Sequence, residues 1–565
     1  MTSLLLSPIL IPLLASVLCF TFWKHVRLQR ILSVCSVTAL VGVSVALIWR
    51  IASDGPYATQ AGGWAAPYGI TFVADTFSAI MVLLNAVTSF ACILYSTGSI
   101  DPRRERNGFH GLMQALIASC SGAFLAGDLF NMYVWFEIML MSSFVLLTLG
   151  GQRGQIEGAI KYVALNLLSS SLFLSALGIL YGLVGTLNIA DMSVKLAHVD
   201  NPPLMTATAM LFLVAFGIKA GIFPFFFWLP ASYHTPPHVV SALFAGMLTK
   251  VGVYSIIRVF TLVFSQEIHI SATLIVAIAG LTMVTGVLGA AAQFEIRRIL
   301  SFHIISQIGY MLMGLGVAGV AMVRAGALQA ELGPDAPEVE AMRTAAAISL
   351  TGAVFYILHH IIVKANLFLV GGIVDRLRHT SQLKKIGGLY KERPYLALLF
   401  MIPAMSLAGI PILSGFWAKL VLIVGAVKAE AYVITVVALI VSVLTLFSMT
   451  KIWAEAFWKA QPEPAPEPED IGEDDKPRGG LFPMYAAVAF LATLTLAIGL
   501  GARPAYELAE KASNELIART PYIEAVLGPM AARQAREEAE AEAAGLLQIN
   551  RTTDAHTGHH AEGTQ

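Results

Sequence analysis

Apolar blocks of about twenty residues, bounded by charges, glycine or proline, recur along nearly the whole chain, and that is the length an α-helix needs to cross the hydrocarbon core of a bilayer. Fourteen are readable, at 4–23, 31–50, 72–97, 111–127, 129–149, 161–186, 205–231, 236–264, 268–291, 301–324, 345–374, 395–424, 430–454 and 482–502. Of 565 residues, 57% are hydrophobic and 13% charged, so lipid must be the solvent for most of the surface. The expected fold class is an all-α polytopic membrane protein with about fourteen transmembrane helices. The first block lacks a basic region before it and a small-residue cleavage pattern after it, and reads as a retained helix. Cys19, Cys35, Cys92 and Cys120 all lie in apolar stretches without metal-ligand spacing, which supports neither a disulfide scaffold nor a redox cluster. The chain has no glycine-rich phosphate loop, so an ion gradient or a partner protein is the expected energy source.

Basic residues set the expected orientation. Loops after odd-numbered blocks hold twenty lysines and arginines, and those after even-numbered blocks hold six, Arg50, Lys195, Arg258, Arg324, Arg343 and Lys428. This imbalance places the odd-following loops in the cytoplasm and both termini on the periplasmic side of a bacterial inner membrane. A Pro- and acid-rich segment at 461–479 reads as a flexible cytoplasmic insertion. The polar tail is expected to be helical over 528–544, as a surface or partner-docking helix, and to end in solvated His556, His559 and His560.

Four lysines, Lys219, Lys250, Lys364 and Lys419, fall inside the apolar blocks. A lone ammonium in hydrocarbon costs several kcal/mol or more, so each must face protein, a partner charge or water. Glu137, about eight residues or roughly 12 Å into the fifth block, needs a cation, and Lys219 in the seventh lies at comparable depth. The functional reading is that Glu137 tunes Lys219; the competing reading is a structural ion pair between helices. Lys219 is followed by Gly221 and Pro224, which break the helix where ion paths are commonly built. Lys250 is near the middle of the eighth block and is the natural next proton site; His234, in the preceding connection, reads as either a proton acceptor at the cytoplasmic mouth or an ordinary loop histidine.

The second half repeats the pattern. His303 opens the tenth block beside Ser306 and Gln307, and His360 and Lys364 share one face of the eleventh, next to His359. Lys419 follows the Pro403, Gly409, Pro411 and Gly415 interruption of the twelfth; snorkelling from near the helix end is its competing account. Blocks 4–8 and 9–13 would then be two inverted five-helix repeats with broken helices in matching positions. Expected boundaries are 1–110 for an N-terminal three-helix segment, 111–264 and 265–456 for the repeats, 457–481 for the acidic loop, 482–503 for the last helix and 504–565 for the tail. Lysines and histidines suit a proton branch, and no cluster of carboxylates in the blocks suits a sodium site. Asp75, Asp128 and Asp191 read as solvated caps or mouth charges, Asp128 as an acceptor of protons from outside.

The run Gly127-Asp128-Leu129-Phe130-Asn131-Met132-Tyr133-Val134-Trp135-Phe136-Glu137-Ile138-Met139-Leu140 closely resembles the D-type subunit of the multisubunit Mrp-type monovalent cation/proton antiporters. So do Gly217-Ile218-Lys219-Ala220-Gly221 with Phe227-Trp228-Leu229-Pro230, the segment His359 to Lys364, and Gly409 to Lys419; the likeness covers about residues 1–500. That family is homologous to the antiporter-like membrane subunits of respiratory complex I. The resemblance implies fourteen helices, inverted repeats with interrupted helices seven and twelve, and a hydrophilic axis at mid-membrane. It places Glu137 and Lys219 in the family's fifth- and seventh-helix pair, Lys250 at the central base, Lys364 and its histidines in the eleventh-helix relay, and Lys419 at the twelfth-helix lysine. The nearest complex I subunit usually carries glutamate at that last position, which favours the antiporter. The acidic 461–479 insertion and the extended tail depart from the family pattern.

The leading reading is a proton-translocating subunit of a Na+(K+)/H+ antiporter. It has no bound redox cofactor, works among other membrane subunits in lipid, and is expected to bind no nucleic acid. The alternatives are a complex I proton-pumping subunit and a membrane scaffold that conducts nothing.

Overall fold

The computed structural model describes residues 1–199, 201–265, 268–462 and 479–533. Hydrocarbon offers the backbone no hydrogen-bond partners, so the apolar blocks close their own hydrogen bonds as helices. These are α1 (Thr2–Thr21), α2 (Val26–Asp54), α3 (Thr76–Ser99), α4 (Phe109–Leu125), α5 (Leu129–Thr148) and α6 (Arg153–Val184). The seventh element is split into α7a (Pro202–Ala220) and α7b (Trp228–Tyr233), and the eighth into α8a (His238–Leu243), a π-helical turn Phe244–Leu248 and α8b (Thr249–Leu262). Then come α9 (Ile268–Ala292), α10 (Ile296–Leu332), α11 (Pro337–Arg378), α12a (Pro394–Ala408), α12b (Ser414–Lys428), α13 (Tyr432–Trp453) and α14 (Phe482–Leu500). Among the described residues, twelve of these elements are long and apolar enough to span a membrane unaided. The fourth block is the shorter α4, and the twelfth is the broken pair α12a and α12b.

Helices α8 and α11 are enclosed on all sides and form the centre of the bundle, as helices apolar all round must. They run antiparallel in a register fixed by two glycines. A Cβ at Gly372 would lie 2.8 Å from the Cβ of His238, and one at Gly246 would lie 3.8 Å from that of Ala365. A third close approach seats α8b on α7a, where a Cβ at Gly252 would come within 2.6 Å of the Ala220 backbone nitrogen.

Two features lie outside the expected pattern. Tyr57–Ala61 (β1) and Ile70–Ala74 (β2) pair as an antiparallel hairpin between α2 and α3. The tail folds back as α15 (Ala502–Ala518) and α16 (Thr520–Leu527), upstream of the expected 528–544 helix, most of which lies outside the described residues. Nearly all of the acidic 461–479 segment and the terminal histidines also lie outside them. Glu515 on α15 accepts hydrogen bonds from the backbone nitrogen and the hydroxyl of Thr76, at 2.9 and 2.7 Å, and so closes the start of α3.

The structure corrects three expectations about charges. Asp75 does cap α3, accepting from the Ser78 nitrogen at 2.9 Å, but it is buried rather than solvated. Its partner is Arg258, counted above among loop charges, which is buried inside α8b and grips Asp75 with two bonds of 2.5 and 2.8 Å. Tyr254, Phe77 and Tyr522 enclose the guanidinium, with ring centroids 5.1–5.6 Å from it. Asp128 is also buried, held at the start of α5 by the backbone nitrogens of Asn131 (2.7 Å) and Thr71 (3.3 Å). Removing one partner of a buried ion pair strands the other charge, at a cost of about 3–5 kcal/mol. Arg258→Leu is therefore expected to lower the thermal unfolding midpoint of the detergent-solubilised complex more than the double change Asp75→Leu/Arg258→Leu does.

Candidate functional site

Three of the four buried lysines, Lys219, Lys250 and Lys419, sit where the helices are irregular. The α7 element stops at Gly221, whose φ of +76° suits glycine, two residues after Lys219. Carbonyls freed at the break are recovered locally: the Ile218 oxygen accepts from the Trp228 indole at 3.0 Å, and Gly217 from the Ile222 nitrogen at 3.1 Å. The Lys219 ammonium is buried at the negative end of α7a, 5.6 Å from the centre of the Phe136 ring. Glu137 is the charged side chain that acts on it electrostatically, yet the two form no ion pair or hydrogen bond. The expected contact is replaced by proximity: the α5 side chain that faces the ammonium is Phe136, the neighbour of Glu137 in sequence. Glu137 itself is half-buried, on a face of α5 that leaves Phe130, Val134 and Met141 exposed.

In α8 the irregularity is the π turn, which loosens the backbone ladder. Lys250, fully buried, donates to the Ala245 carbonyl within that turn and to the Thr249 hydroxyl at 3.2 Å. Lys364 on α11 donates to the Leu300 carbonyl of α10 at 3.2 Å. Lys419 on α12b reaches across the second break to the Ala408 carbonyl at the end of α12a (3.0 Å) and to Ser442 on α13 (2.8 Å), with Tyr310 beneath it. It is buried and directed inward, which removes snorkelling as its account.

Between these lysines lies a row of buried polar side chains on α10, α11 and α12. His360 interacts electrostatically with Lys250, Lys364, His359 and His303. His303 and His360 are fully buried with no hydrogen bond to either ring nitrogen among the described residues. His359 bonds through Nδ1 to the Ser414 hydroxyl at 2.8 Å, which meets Ser406 at 3.1 Å, while its Nε2 is unpaired. The Tyr356 hydroxyl donates to Gln307, and Tyr356 stacks on Tyr310 at 5.1 Å between centroids. The structure thus gathers Lys250, His303, His359, His360, Lys364 and Lys419 into one buried seam. Glu137 with Lys219 forms a separate pair toward the edge of the chain. His234 stands apart near the surface, bonded to the Pro230 carbonyl (2.8 Å) and to Arg298 (3.2 Å).

Sequence reasoning passed over Tyr310, Tyr356, Ser414 and Ser442. A signal was present: Tyr356 precedes His360 by four residues, and Tyr310 follows His303 by seven, on the same helix faces. Among the described residues, no three His, Cys, Asp or Glu side chains gather in a form that holds a metal ion.

Comparison with known proteins gives this geometry its context. The family described as NADH:quinone oxidoreductase/Mrp antiporter, transmembrane, matches residues 126–329 and 339–445. The D-type subunit of the Na+/H+ antiporter of Alkalihalophilus pseudofirmus is 41% identical over 93% of this chain and the whole of its own length. This chain belongs to the family of D-type Mrp antiporter subunits. In the Mrp complex of a Dietzia species, one chain superposes with a TM-score of 0.80 at 30% identity, over 93% of this chain and 99% of that one. A chain of Thermus thermophilus respiratory complex I shares the fold alone, with a TM-score of 0.72 at 22% identity, over 91% of this chain and 99% of that one.

Within this family member the glycines beside the lysines are fixed by contact. A Cβ at Gly415 would collide with the Ser406 carbonyl and come within 2.7 Å of the His359 ring. Gly326 has open space around its position. Gly252→Ala and Gly415→Ala are expected to destabilise the protein by about 1–3 kcal/mol through overpacking. Gly326→Ala should be neutral or slightly stabilising, and thermal unfolding of the three variants side by side checks this.

Proposed function

We propose that the chain is the proton-translocating subunit of a multisubunit Na+(K+)/H+ antiporter, passing protons through the Glu137–Lys219 pair and along the seam of buried lysines and histidines. The observation that carries the proposal is the seam itself: lysine ammoniums held by backbone carbonyls, with unpaired imidazoles between them, on helices enclosed by apolar side chains. Each group can hold or release one proton, and none gathers the carboxylates that a bound sodium ion would need. Relatives that are D-type subunits of Na+/H+ antiporters, similar over their whole length, support the antiporter over the complex I reading.

The half-buried Glu137 supports a multisubunit assembly. Its carboxylate has one buried oxygen without a hydrogen-bond partner and lies on the α5 face that leaves Phe130, Val134 and Met141 exposed; a neighbouring membrane protein seated on this face would keep it from lipid. We place the chain in a bacterial inner membrane with both termini periplasmic, since removing Arg258 from the loop count leaves twenty basic residues against five. The two broken elements, α7 and α12, each with its lysine beside the break, support two inverted five-helix repeats with the breaks in matching positions.

The test is cation-dependent proton transport by the whole complex in vesicles, with Na+ and K+ assayed separately. Lys219→Ala and Glu137→Gln are each expected to lower exchange by roughly tenfold or more while the complex still assembles. Native rates in both assembled variants would sink the proposal.

A further inference from the structure

The seam needs a connection to the cytoplasm, and the candidate first named for it, His234, is tied to the surface. Four residues on, His238 opens α8a, and its Nε2 lies 3.1 Å from Asp375 Oδ2 near the end of α11. The two side chains differ in access: that of His238 is 12% exposed and that of Asp375 is 32%. The carboxylate therefore reaches solvent while the imidazole turns inward. The other ring nitrogen, Nδ1, sits near the Phe368 carbonyl without hydrogen-bond geometry to any described group.

This dyad joins the same two helices that carry the central lysines. Twelve residues, or about 18 Å, separate His238 from Lys250, and eleven, or about 16 Å, separate Lys364 from Asp375. Because α8 and α11 are antiparallel in the register set by Gly372 and Gly246, the dyad lies at one end of the helix pair, and Lys250, Lys364 and His360 lie farther along it. The intervening stretch is polar in an otherwise apolar wall. Both amide atoms of Asn366 and the hydroxyls of Tyr233 and Thr88 are buried without hydrogen-bond partners. Thr88 packs on Gly246, and Gly246 on Ala365, the neighbour of Asn366 in sequence, while the Tyr233 ring lies 5.7 Å from that of Phe244 in the π turn.

The charged and titratable groups around the dyad come from three helices besides α8. Arg297, from the start of α10, acts on both members and is itself bonded to the Pro236 carbonyl at 2.9 Å; Glu295 lies beside it. From α3, Tyr95 donates to the Leu369 carbonyl at 2.9 Å and interacts with Asp375, while Arg376 and His379 flank Asp375 at the end of α11. The arginines hold Asp375 among cations, which keeps a carboxylate at the solvent edge and favours proton passage through the neutral imidazole.

We propose that His238 and Asp375 form the site at which protons exchange between the cytoplasm and the lysine–histidine seam. A proton from water reaches Asp375 and passes to His238 Nε2 as the proton on Nδ1 leaves toward the seam. Rotation of the imidazole then restores the starting arrangement without moving a further proton, so one proton enters and one departs. The same steps in reverse release protons to the cytoplasm. This role rests on the seam carrying protons, as argued above.

The test uses the whole complex in everted vesicles loaded with Na+, with K+ in a parallel arm, so that cation efflux draws protons through the outward-facing cytoplasmic side. His238→Gln keeps a hydrogen bond to Asp375 but cannot relay a proton. Its exchange rate is expected to fall about tenfold or more below native at alkaline external pH and to approach native as the medium is acidified. A native rate at every pH, or a loss equal at every pH, would overturn the site and leave His238 as a tie between helices. Asp375→Asn carries the same criterion should His238→Gln fail to assemble. Lys364→Ala in the same assay separates the two proposals: native exchange there removes the seam, whereas lost exchange there with an unaltered His238→Gln removes only the dyad.

Discussion

The placement of an ammonium against a backbone carbonyl, inside a solvent of hydrocarbon, governs the rest of this structure. A regular helix spends its carbonyls on its own ladder, so a buried lysine finds acceptors most readily where the ladder is disturbed. Lys250 uses the π turn of its own helix, and Lys419 uses the end of α12a across the break. Lys364 borrows from α10. Lys219 has only the negative end of α7a and an aromatic face, and it is also the lysine with an acid nearby. At Lys219, Lys250 and Lys419, helix irregularity and buried charge are thus one feature, because each would be costly without the other.

The central pair of helices gathers these local arrangements into one buried polar seam. Glycines let α8 approach α7a and α11 closely, which brings side chains from three elements to one depth without leaving lipid-filled gaps. Serine and tyrosine hydroxyls then link the lysines and histidines on α10 to α13. Polar networks of this kind stand only when the surrounding packing fixes them. The long enclosed α11, which carries His359, His360 and Lys364, supplies that rigidity.

Much of this was legible in the sequence, for a physical reason: a charge in an apolar block stands out against its neighbours. The helices, the two breaks and the buried lysines follow from that contrast. What was not legible is what each charge touches. Backbone carbonyls carry no sequence label, so the partners of Lys250, Lys364 and Lys419 were invisible. Arg258 looked like a loop charge because it lies near the end of its block, and its acid is far away in sequence on α3. Glu137 and Lys219 were expected to touch, but it is the ring of Phe136 that faces the ammonium. The hairpin between α2 and α3 and the tail helices α15 and α16 gave only weak signals, since short polar segments acquire their form from what they pack against.

The Asp75–Arg258 pair spans 183 residues of chain, and Glu515, which completes the same corner, comes 439 residues after Thr76. During synthesis on the ribosome, α3 therefore leaves the insertion machinery long before its counter-ion has been made. Its acidic end has no settled place in the bilayer until the eighth span arrives. Maturation of this corner is consequently a late event, delayed until the tail has been translated, and the first helices to be threaded are among the last to be locked.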